Sequence, residues 1–356
     1  MASVALEERV GELAGEVEAA SASGAEAARE LHARLLKPRG SLGTLEELGA
    51  RLAAMAGESP PPVPENPAVV ICAGDHGVLA RGVSPWPAEV TAAMVESFCA
   101  GGAAVNAIAR TVGARVSVLD VGVASELGCH PLLRAAKVRL GTDNLSEGPA
   151  MSREEAARAV LAGAGIVEEL VESGGADLLV TGDMGIGNTT PAACLIAAFT
   201  GCPASEVTGR GTGIDDATLE RKIRVVEEAL ALHSPDPGDA IGTLAALGGL
   251  EHGALAGLIL AGAVYGIPVL LDGVVSNSAA LVARALAPEA IDYTVAGHLS
   301  TEPGARIALE RLGLEPVLDL NMRLGEGTGG LLAVPLVQAA ARAPSEMTTL
   351  DEAGIA

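Results

Sequence analysis

The sequence predicts an α/β protein built on a doubly wound sheet of six parallel strands. Three observations lead to this prediction. Short aliphatic runs are continuous rather than alternating, which is typical of parallel strands buried on both faces. Helix-like stretches separate most of these runs, as βαβ crossovers require. Polar or glycine-rich residues follow each run, at the position where open α/β sheets bind ligands.

The six predicted strands are spread along most of the chain. They cover residues 68–73, 116–121, 177–181, 267–271, 291–296 and 316–320. Helices are expected between them, for example over 87–111 and 152–172. The charge-free segment 253–271 is long enough to cross a bilayer. Because glycines and Pro268 divide it, we interpret it as a buried helix followed by a buried strand.

Two regions do not follow the strand–helix alternation. The first 50 or so residues and the stretch 215–265 are both predicted to be helical, and the tail after Gly330 is predicted to be one more helix with a short extension. We therefore predict a large α/β catalytic domain over 51–330. A small helical domain is predicted from both termini, 1–50 plus 331–356.

Composition excludes several classes of partner. The chain has 356 residues, a net charge of −22 and only five aromatic residues (one Trp, two Tyr, two Phe). This charge opposes binding to nucleic acid or to an anionic membrane, and few rings are present to stack on bases. The five cysteines form no CxxC pair, and the N-terminus does not resemble a signal peptide. We expect a cytoplasmic protein with small-molecule substrates.

A glycine-rich loop follows the third predicted strand. Residues 181–191 read Thr-Gly-Asp-Met-Gly-Ile-Gly-Asn-Thr-Thr-Pro and lead into a helix. Backbone N–H groups in such a loop, together with a helix N-terminus, favour a phosphate or carboxylate. The spacing is similar to a P-loop, but Asn188 replaces the lysine, so nucleoside triphosphate hydrolysis is not predicted. The alternative interpretation is a tight strand-to-helix turn.

A second glycine-rich loop, residues 323–330, reads Arg-Leu-Gly-Glu-Gly-Thr-Gly-Gly. A carboxylate repels phosphate, so Glu326 does not suit a simple phosphate cradle, whereas a catalytic base has to lie near its substrate. The glycine spacing also matches the dinucleotide fingerprint, which requires another strand and an acidic residue about 20 positions later. Only 26 residues follow Gly330, too few for that second half of the motif. A dehydrogenase is therefore the least favoured of the functions considered.

The segment 209–216, Gly-Arg-Gly-Thr-Gly-Ile-Asp-Asp, has two interpretations. Asp215 or Asp216 would cap the following helix. Alternatively, Arg210 and Lys222 would supply positive charge to an anionic ligand.

Asp75 and His76 follow the first predicted strand. Asp75 is a candidate for binding a ribose hydroxyl. His76 is either a general base or a hydrogen-bonded structural residue. No histidines lie at metal-ligand spacing, and the chain contains no HExxH motif, so no metal or cofactor is predicted.

Taken together, these motifs resemble the nicotinate-nucleotide–dimethylbenzimidazole phosphoribosyltransferase family, which activates the lower ligand of cobalamin. The resemblance covers nearly the whole chain in family order. Its motifs lie at 37–43 (Lys-Pro-Arg-Gly-Ser-Leu-Gly), 74–78 (Gly-Asp-His-Gly-Val), 82–84 with 90–91, 182–190, 209–216, 271–273, 325–330 and 351–354. Each motif is weak alone, and the ordered set is specific.

The resemblance implies a Rossmann-like sheet of six mostly parallel strands, a small helical domain and a homodimer. It also implies that the phosphoribosyl group of nicotinate mononucleotide passes to 5,6-dimethylbenzimidazole with inversion at C1′. Glu326 occupies the family's general-base position, and Asp183 is the second candidate catalytic residue. Substrate contacts are expected from Asp75, Ser84, Trp86, Ala88, Gly185, Gly187, Asn188, Thr189, Lys222, Gly325 and Gly327.

This chain departs from the family pattern at two positions. Asp183 stands where many members have glutamate, and Ala88 stands near a position where many have glutamine. Ala88 leaves room near the expected base pocket, so another acceptor, such as adenine or a phenol, is the first alternative. A nucleotide-binding protein without catalysis is the second alternative, which Asp183 suggests because its side chain is one methylene shorter.

Overall fold

The computed structural model describes residues 2–355. Its centre is a six-stranded sheet with the order β3-β2-β1-β4-β5-β6, in which every neighbouring pair is parallel. The strands are β1 (Pro67–Gly74), β2 (Arg115–Gly122), β3 (Leu133–Ala135), β4 (Leu178–Met184), β5 (Val269–Leu271) and β6 (Thr294–Ala296). This is the doubly wound Rossmann order, so the predicted fold class is confirmed.

Helices cover both faces of the sheet and both ends of the chain. They are α1 (Ala2–Gly15), α2 (Ala22–Arg34), α3 (Thr44–Ala56), α4 (Glu89–Ala100), α5 (Ala104–Val112), α6 (Arg153–Glu172), α7 (Thr189–Thr200), α8 (Ala204–Val207), α9 (Asp216–His233), α10 (Ala240–Leu247), α11 (Leu250–Val264), α12 (Val274–Leu286), α13 (Pro303–Leu312) and α14 (Thr328–Glu346). Short 3₁₀ helices cover Gly77–Arg81 and Pro288–Tyr293.

The structure corrects one of the six predicted strands. Residues 316–320 form only a single parallel bridge, between Leu318 and His298, beyond the short strand β6. The sixth strand is instead β3, which pairs with β2 at the edge of the sheet. Because β3 has three residues and two of them are exposed, it leaves no apolar run in the sequence.

The helical predictions were right in type but too long in extent. The predicted helix 87–111 is two helices, α4 and α5, separated at Gly101, which has a φ of +78°. The stretch 215–265 contains three helices, α9 to α11. The apolar segment 253–271 is, as predicted, a buried helix followed by strand β5.

Within residues 2–355, one helical stretch, residues 89–112, is long and apolar enough to cross a membrane. This stretch is the broken pair α4 and α5, both of which pack against strands of the sheet. The core helices of soluble proteins pass the same test, so the result is weak evidence for a membrane span.

Helices from the two ends of the chain pack together. Helix α3 contacts both α2 and α14, whereas α1 packs against α6. Helix α14 begins at Thr328 and continues through residue 330, the position at which the large domain was predicted to end. The division of the chain into two domains stays a prediction.

The carboxyl ends of the strands bring acidic residues to one edge of the sheet. Asp75 follows β1, Asp183 lies near the end of β4 and Asp272 follows β5. The chain reverses its winding direction between β1 and β4, which are neighbours in the sheet. A crevice beyond such a reversal is the usual ligand site in this architecture.

Helices α6 and α11 approach each other closely through two glycines. A Cβ atom on Gly163 would lie 1.7 Å from the carbonyl oxygen of Ala254, and one on Gly257 would lie 1.8 Å from that of Val160. Backbone is therefore in contact with backbone, and neither position has space for a side chain.

Replacing Gly163 with alanine should destabilise the protein. The added methyl would force α6 and α11 apart, at a cost of about 1–3 kcal/mol or more. Gly165 in the same helix is the matched control, since no atom lies within 4 Å of its Cβ position. Gly165→Ala should be neutral or stabilising by up to about 1 kcal/mol. Urea unfolding of the two variants measures this, and equal stabilities would contradict the predicted contact.

Candidate active site

A cavity lies beyond the carboxyl ends of the strands, next to the point where the winding reverses. Its walls are the loops that follow β4, β5 and β6, together with the 210–212 segment and residues 323–325. The loops after β4, β5 and β6 are short and follow buried strands, so the rigid sheet positions the side chains of these loops.

Two helices begin at this cavity. Thr189 starts α7, while Val274 and Val275 start α12, and all three line the cavity. The first N–H groups of a helix have no partner within it and favour anions. Among residues 2–355, the N–H groups of Gly187 and Thr189 donate to no other group.

Lys222 is buried beside the beginning of α7. Its ammonium group donates to Thr189 Oγ1 at 2.7 Å and to the carbonyl oxygen of Gly209 at 3.0 Å. Burial lowers the pKa of Lys222 to about 8, and the nearby carboxylate of Glu302 opposes this shift. The side chain therefore brings positive charge to the end of the cavity where the free N–H groups lie.

Asp183 lines the cavity and is 7% exposed. Burial, and next the charge of Asp272, raise the pKa of Asp183 to about 8. Asn188 opposes this shift by donating from its amide nitrogen to Asp183 Oδ2 at 2.8 Å. The Asp183 side chain is thus largely a neutral acid near pH 7, able to donate a hydrogen bond without repelling an anion.

The glycine loop of residues 325–330 is bound to a carboxylate of the protein itself. Asp272 accepts hydrogen bonds from the N–H groups of Gly327 (3.2 Å), Gly329 (2.7 Å) and Gly330 (2.9 Å). His298 Nε2 lies 3.5 Å from the same side chain. These loop N–H groups are therefore occupied, and the free N–H groups of the cavity lie elsewhere, in the 185–189 loop and at the start of α12.

Glu326 has an unusual backbone conformation inside this loop. Its φ is +65°, between +84° at Gly325 and +89° at Gly327. Such a conformation is uncommon for a residue with a side chain and costs about 1–3 kcal/mol. A Cβ on Gly182 would lie 2.7 Å from the Glu326 carbonyl oxygen, so the loop lies directly on strand β4.

The Glu326 side chain is 5% exposed. Its Oε2 accepts a hydrogen bond from the N–H of Val105, at the start of α5, over 3.4 Å. Burial, together with the charge of Asp272, raises the pKa of Glu326, although the Val105 N–H opposes this shift. A carboxylate with a raised pKa is a better proton acceptor near neutral pH.

The structure brings many of the predicted site residues to one cavity. Those lining it are Ser84, Asp183, Gly185, Gly187, Asn188, Thr189, Lys222 and Gly325. Glu326 and Gly327 follow Gly325 directly in the chain but are not among the residues that line the cavity.

Three other predicted residues lie outside the cavity lining. Asp75 is buried and accepts a hydrogen bond from the Ala124 N–H at 2.8 Å. Trp86 is 51% exposed, and its backbone N–H donates to Ser84 Oγ at 3.2 Å. Ala88 precedes helix α4 and is partly buried.

Several lining residues were not predicted from the sequence. They are Val274, Val275, His298, Ser300, Glu302, Arg323 and Leu324, among others. Arg210, one of the two candidate cations for an anionic ligand, also lines the cavity. His298 and Ser300 come just after strand β6, and Val274 comes just after β5, so their position at strand ends was an available signal. Across residues 2–355, no group of three or more His, Cys, Asp or Glu side chains is arranged to hold a metal ion.

Comparison with known proteins agrees with the resemblance seen in the motifs. A family model described as phosphoribosyltransferase matches residues 17–355. A nicotinate-nucleotide–dimethylbenzimidazole phosphoribosyltransferase from Salinispora tropica is 56% identical over 343 residues, covering 92% of this chain and 94% of the relative. The chain belongs to this family. A second member, from Chloroflexus aggregans, is 53% identical over 331 residues. The match covers 93% of this chain and 93% of that relative.

A solved structure shows the same family fold. The crystal structure of the family member from Thermus thermophilus superposes with a TM-score of 0.89 at 48% identity. The match covers 94% of this chain and 99% of that one.

Replacing Asp183 with asparagine should change how stability depends on pH. The native pKa is about 8 against a usual 3.8, so between these values the native state holds a proton that the unfolded state has lost. Wild-type stability therefore falls as pH rises through this window. Asp183→Asn removes this pH dependence of stability. The difference in Tm, variant minus wild type, should therefore be larger at about pH 9 than at about pH 5.

Thermal unfolding of both proteins across this pH range is the measurement. Asp319→Asn, at an exposed position, is the control and should show no such trend. A constant difference in Tm between Asp183→Asn and wild type would contradict the raised pKa of Asp183.

Proposed function

We propose that this protein transfers the 5-phosphoribosyl group of nicotinate mononucleotide to 5,6-dimethylbenzimidazole. The products are α-ribazole 5′-phosphate and nicotinate, and the role is in cobalamin nucleotide-loop biosynthesis. The observation that carries the proposal is Glu326, a buried carboxylate next in the chain to Gly325, which lines a cavity with free N–H donors. Relatives named for this reaction share more than half of their residues with this chain over more than nine-tenths of its length.

The donor phosphate has a suitable site at the 185–189 loop. The N–H groups of Gly187 and Thr189 are free, and helix α7 begins at this point. Lys222 adds a positive charge through its contact with Thr189. These local donors explain how a chain with a net charge of −22 binds an anionic nucleotide.

The reaction needs one base and no acid. The bond from C1′ to the pyridinium nitrogen breaks, and its electron pair neutralises the positive charge of that nitrogen, so nicotinate leaves without being protonated. A benzimidazole nitrogen forms the new bond to C1′ from the opposite face, which inverts the configuration from β to α. Glu326 takes the N–H proton of the incoming base.

Asp183 has a separate role in this scheme. As a neutral acid in the cavity wall, it donates a hydrogen bond to the ribose and adds no charge that would repel the phosphate. Its carboxyl group lies against the Gly325 backbone, about 3.3 Å from where a Cβ of that residue would be.

The acceptor is expected near Glu326 and the start of α4. Trp86 offers an exposed aromatic face, and Ala88 leaves room that a longer side chain would fill. Ala88 is the observation that favours adenine or a phenol as an alternative acceptor. We propose further that the protein acts in the cytoplasm as a homodimer, as its family resemblance implies.

Nicotinate release from nicotinate mononucleotide and dimethylbenzimidazole, without added metal, tests both the activity and the base. Wild-type protein should release nicotinate, whereas Glu326→Gln should lower kcat by about 10²–10⁴-fold because it cannot accept the proton. Calorimetry should show that the variant still binds nicotinate mononucleotide, since the phosphate donors are unchanged.

Glu315→Gln, at an exposed glutamate, is the control and should leave kcat unchanged. Near-normal turnover by Glu326→Gln would remove Glu326 as the base. Saturable nucleotide binding by wild type, with no release for benzimidazole, adenine or phenol acceptors, would favour the non-catalytic alternative.

A further inference from the structure

A buried group of three ionisable side chains lies outside the proposed chemistry. His76 Nε2 and His252 Nδ1 each lie 2.8 Å from the same oxygen of Glu251, Oε1. The two rings are nearly perpendicular, with centroids 6.1 Å apart. All three side chains are fully buried. We call this group the His76–Glu251–His252 triad.

The triad carries charge inside the core. Burial alone would lower the pKa of His76, but the carboxylate of Glu251 outweighs it, and the pKa of His76 is raised. The two histidines in turn hold the pKa of Glu251 well below its usual range, although burial opposes this. A buried ion pair gains little net stability over apolar packing, so stability alone does not explain the triad.

The triad lies directly against the phosphate-binding side of the cavity. A Cβ on Gly185 would lie 3.0 Å from His76 Nε2 and 2.3 Å from the carbonyl oxygen of Gly74. A Cβ on Gly187 would lie 4.0 Å from the Cβ of His76. The imidazole ring is therefore in contact with the backbone of the 185–189 loop, which lines the cavity and carries the free N–H groups.

The remaining contacts fix the ring from the other side. A Cβ on Gly249 would lie 2.4 Å from His76 Cε1 and 2.6 Å from Glu251 Oε2. Glu251 belongs to the first turn of α11, and His76 follows strand β1. The triad thus connects the end of β1 and the start of α11 to the 185–189 loop, with glycines wherever the rings need space.

We propose that His76, held by Glu251, positions the 185–189 loop so that its N–H groups converge on the phosphate of the nucleotide donor. His76 is a positioning residue, because it touches the loop rather than the substrate. The proposal rests on the proposed function and assigns the triad to donor binding alone. The acceptor base, expected near Glu326, should be unaffected.

His76→Leu tests this role. The substitution removes the ring that supports Gly185 and breaks the contact with Glu251. We expect Kd and KM for nicotinate mononucleotide to rise at least about tenfold, because small displacements of positioning groups have effects of this size. The KM for dimethylbenzimidazole should stay within about twofold of wild type.

Two further variants keep the test decisive if His76→Leu fails to fold. His76→Gln places an amide near the position of Nε2 and should restore most of the donor affinity. Glu251→Gln keeps the shape of the side chain but removes its charge, and should raise the donor KM selectively. His32→Leu is the matched control, because His32 is also a buried histidine but lies beside Gly49 of α3 and does not line the cavity.

The outcomes separate this proposal from the proposed function. A selective rise in the donor Kd and KM, with recovery in His76→Gln, supports the positioning role. If the triad variants lower the Tm as much as His32→Leu does but bind nicotinate mononucleotide as tightly as wild type, the positioning role is wrong and the proposed function is unaffected. Equal increases in donor and acceptor KM also overturn it. Wild-type protein that does not bind the nucleotide at all overturns the proposed function and this proposal with it.

Discussion

The candidate active site depends on one carboxylate, that of Asp272. It accepts hydrogen bonds from the N–H groups of Gly327, Gly329 and Gly330, and so joins the end of strand β5 to the start of helix α14. Glu326 immediately precedes the first of these donors and is thereby held with a φ of +65°. A glycine-rich loop containing an acid looks contradictory as a phosphate cradle. The contradiction disappears once the protein's own carboxylate occupies the loop, leaving Glu326 available as a base.

Charge inside the protein is arranged so that an acidic chain presents an anion site. Several buried carboxylates near the cavity are neutralised, paired with histidine or bound by backbone N–H groups. Asp183 is held as a neutral acid, Glu251 lies between two histidines, and Glu302 accepts the Gly211 N–H at 2.7 Å. Donors that remain at the cavity include backbone N–H groups at the start of α7 and the ammonium group of Lys222. In the proposed function, affinity for phosphate therefore comes from these local donors and not from net charge.

The sequence was sufficient for the fold class, because continuous aliphatic runs mark buried parallel strands. It failed at β3, a three-residue edge strand with no apolar run, and at 316–320, where an apolar run forms only one bridge. Glu326 was singled out through its glycine neighbours, and its role as the base stays a prediction. The role of Asp272 was not found, since its contacts lie 55 to 58 residues away in the chain. The contact between His76 and Glu251 was missed for the same reason.

The most direct test of the central claim is a crystal structure with nicotinate mononucleotide and 5,6-dimethylbenzimidazole bound to Glu326→Gln, or with the reaction product bound to wild type. We predict the phosphate on the N–H groups of Gly187 and Thr189. A benzimidazole nitrogen should lie within about 3.2 Å of the residue 326 side chain. A base whose nitrogen faces Asp183 instead, with residue 326 still bonded only to the Val105 N–H, would contradict the assignment of Glu326 as the group that accepts the proton.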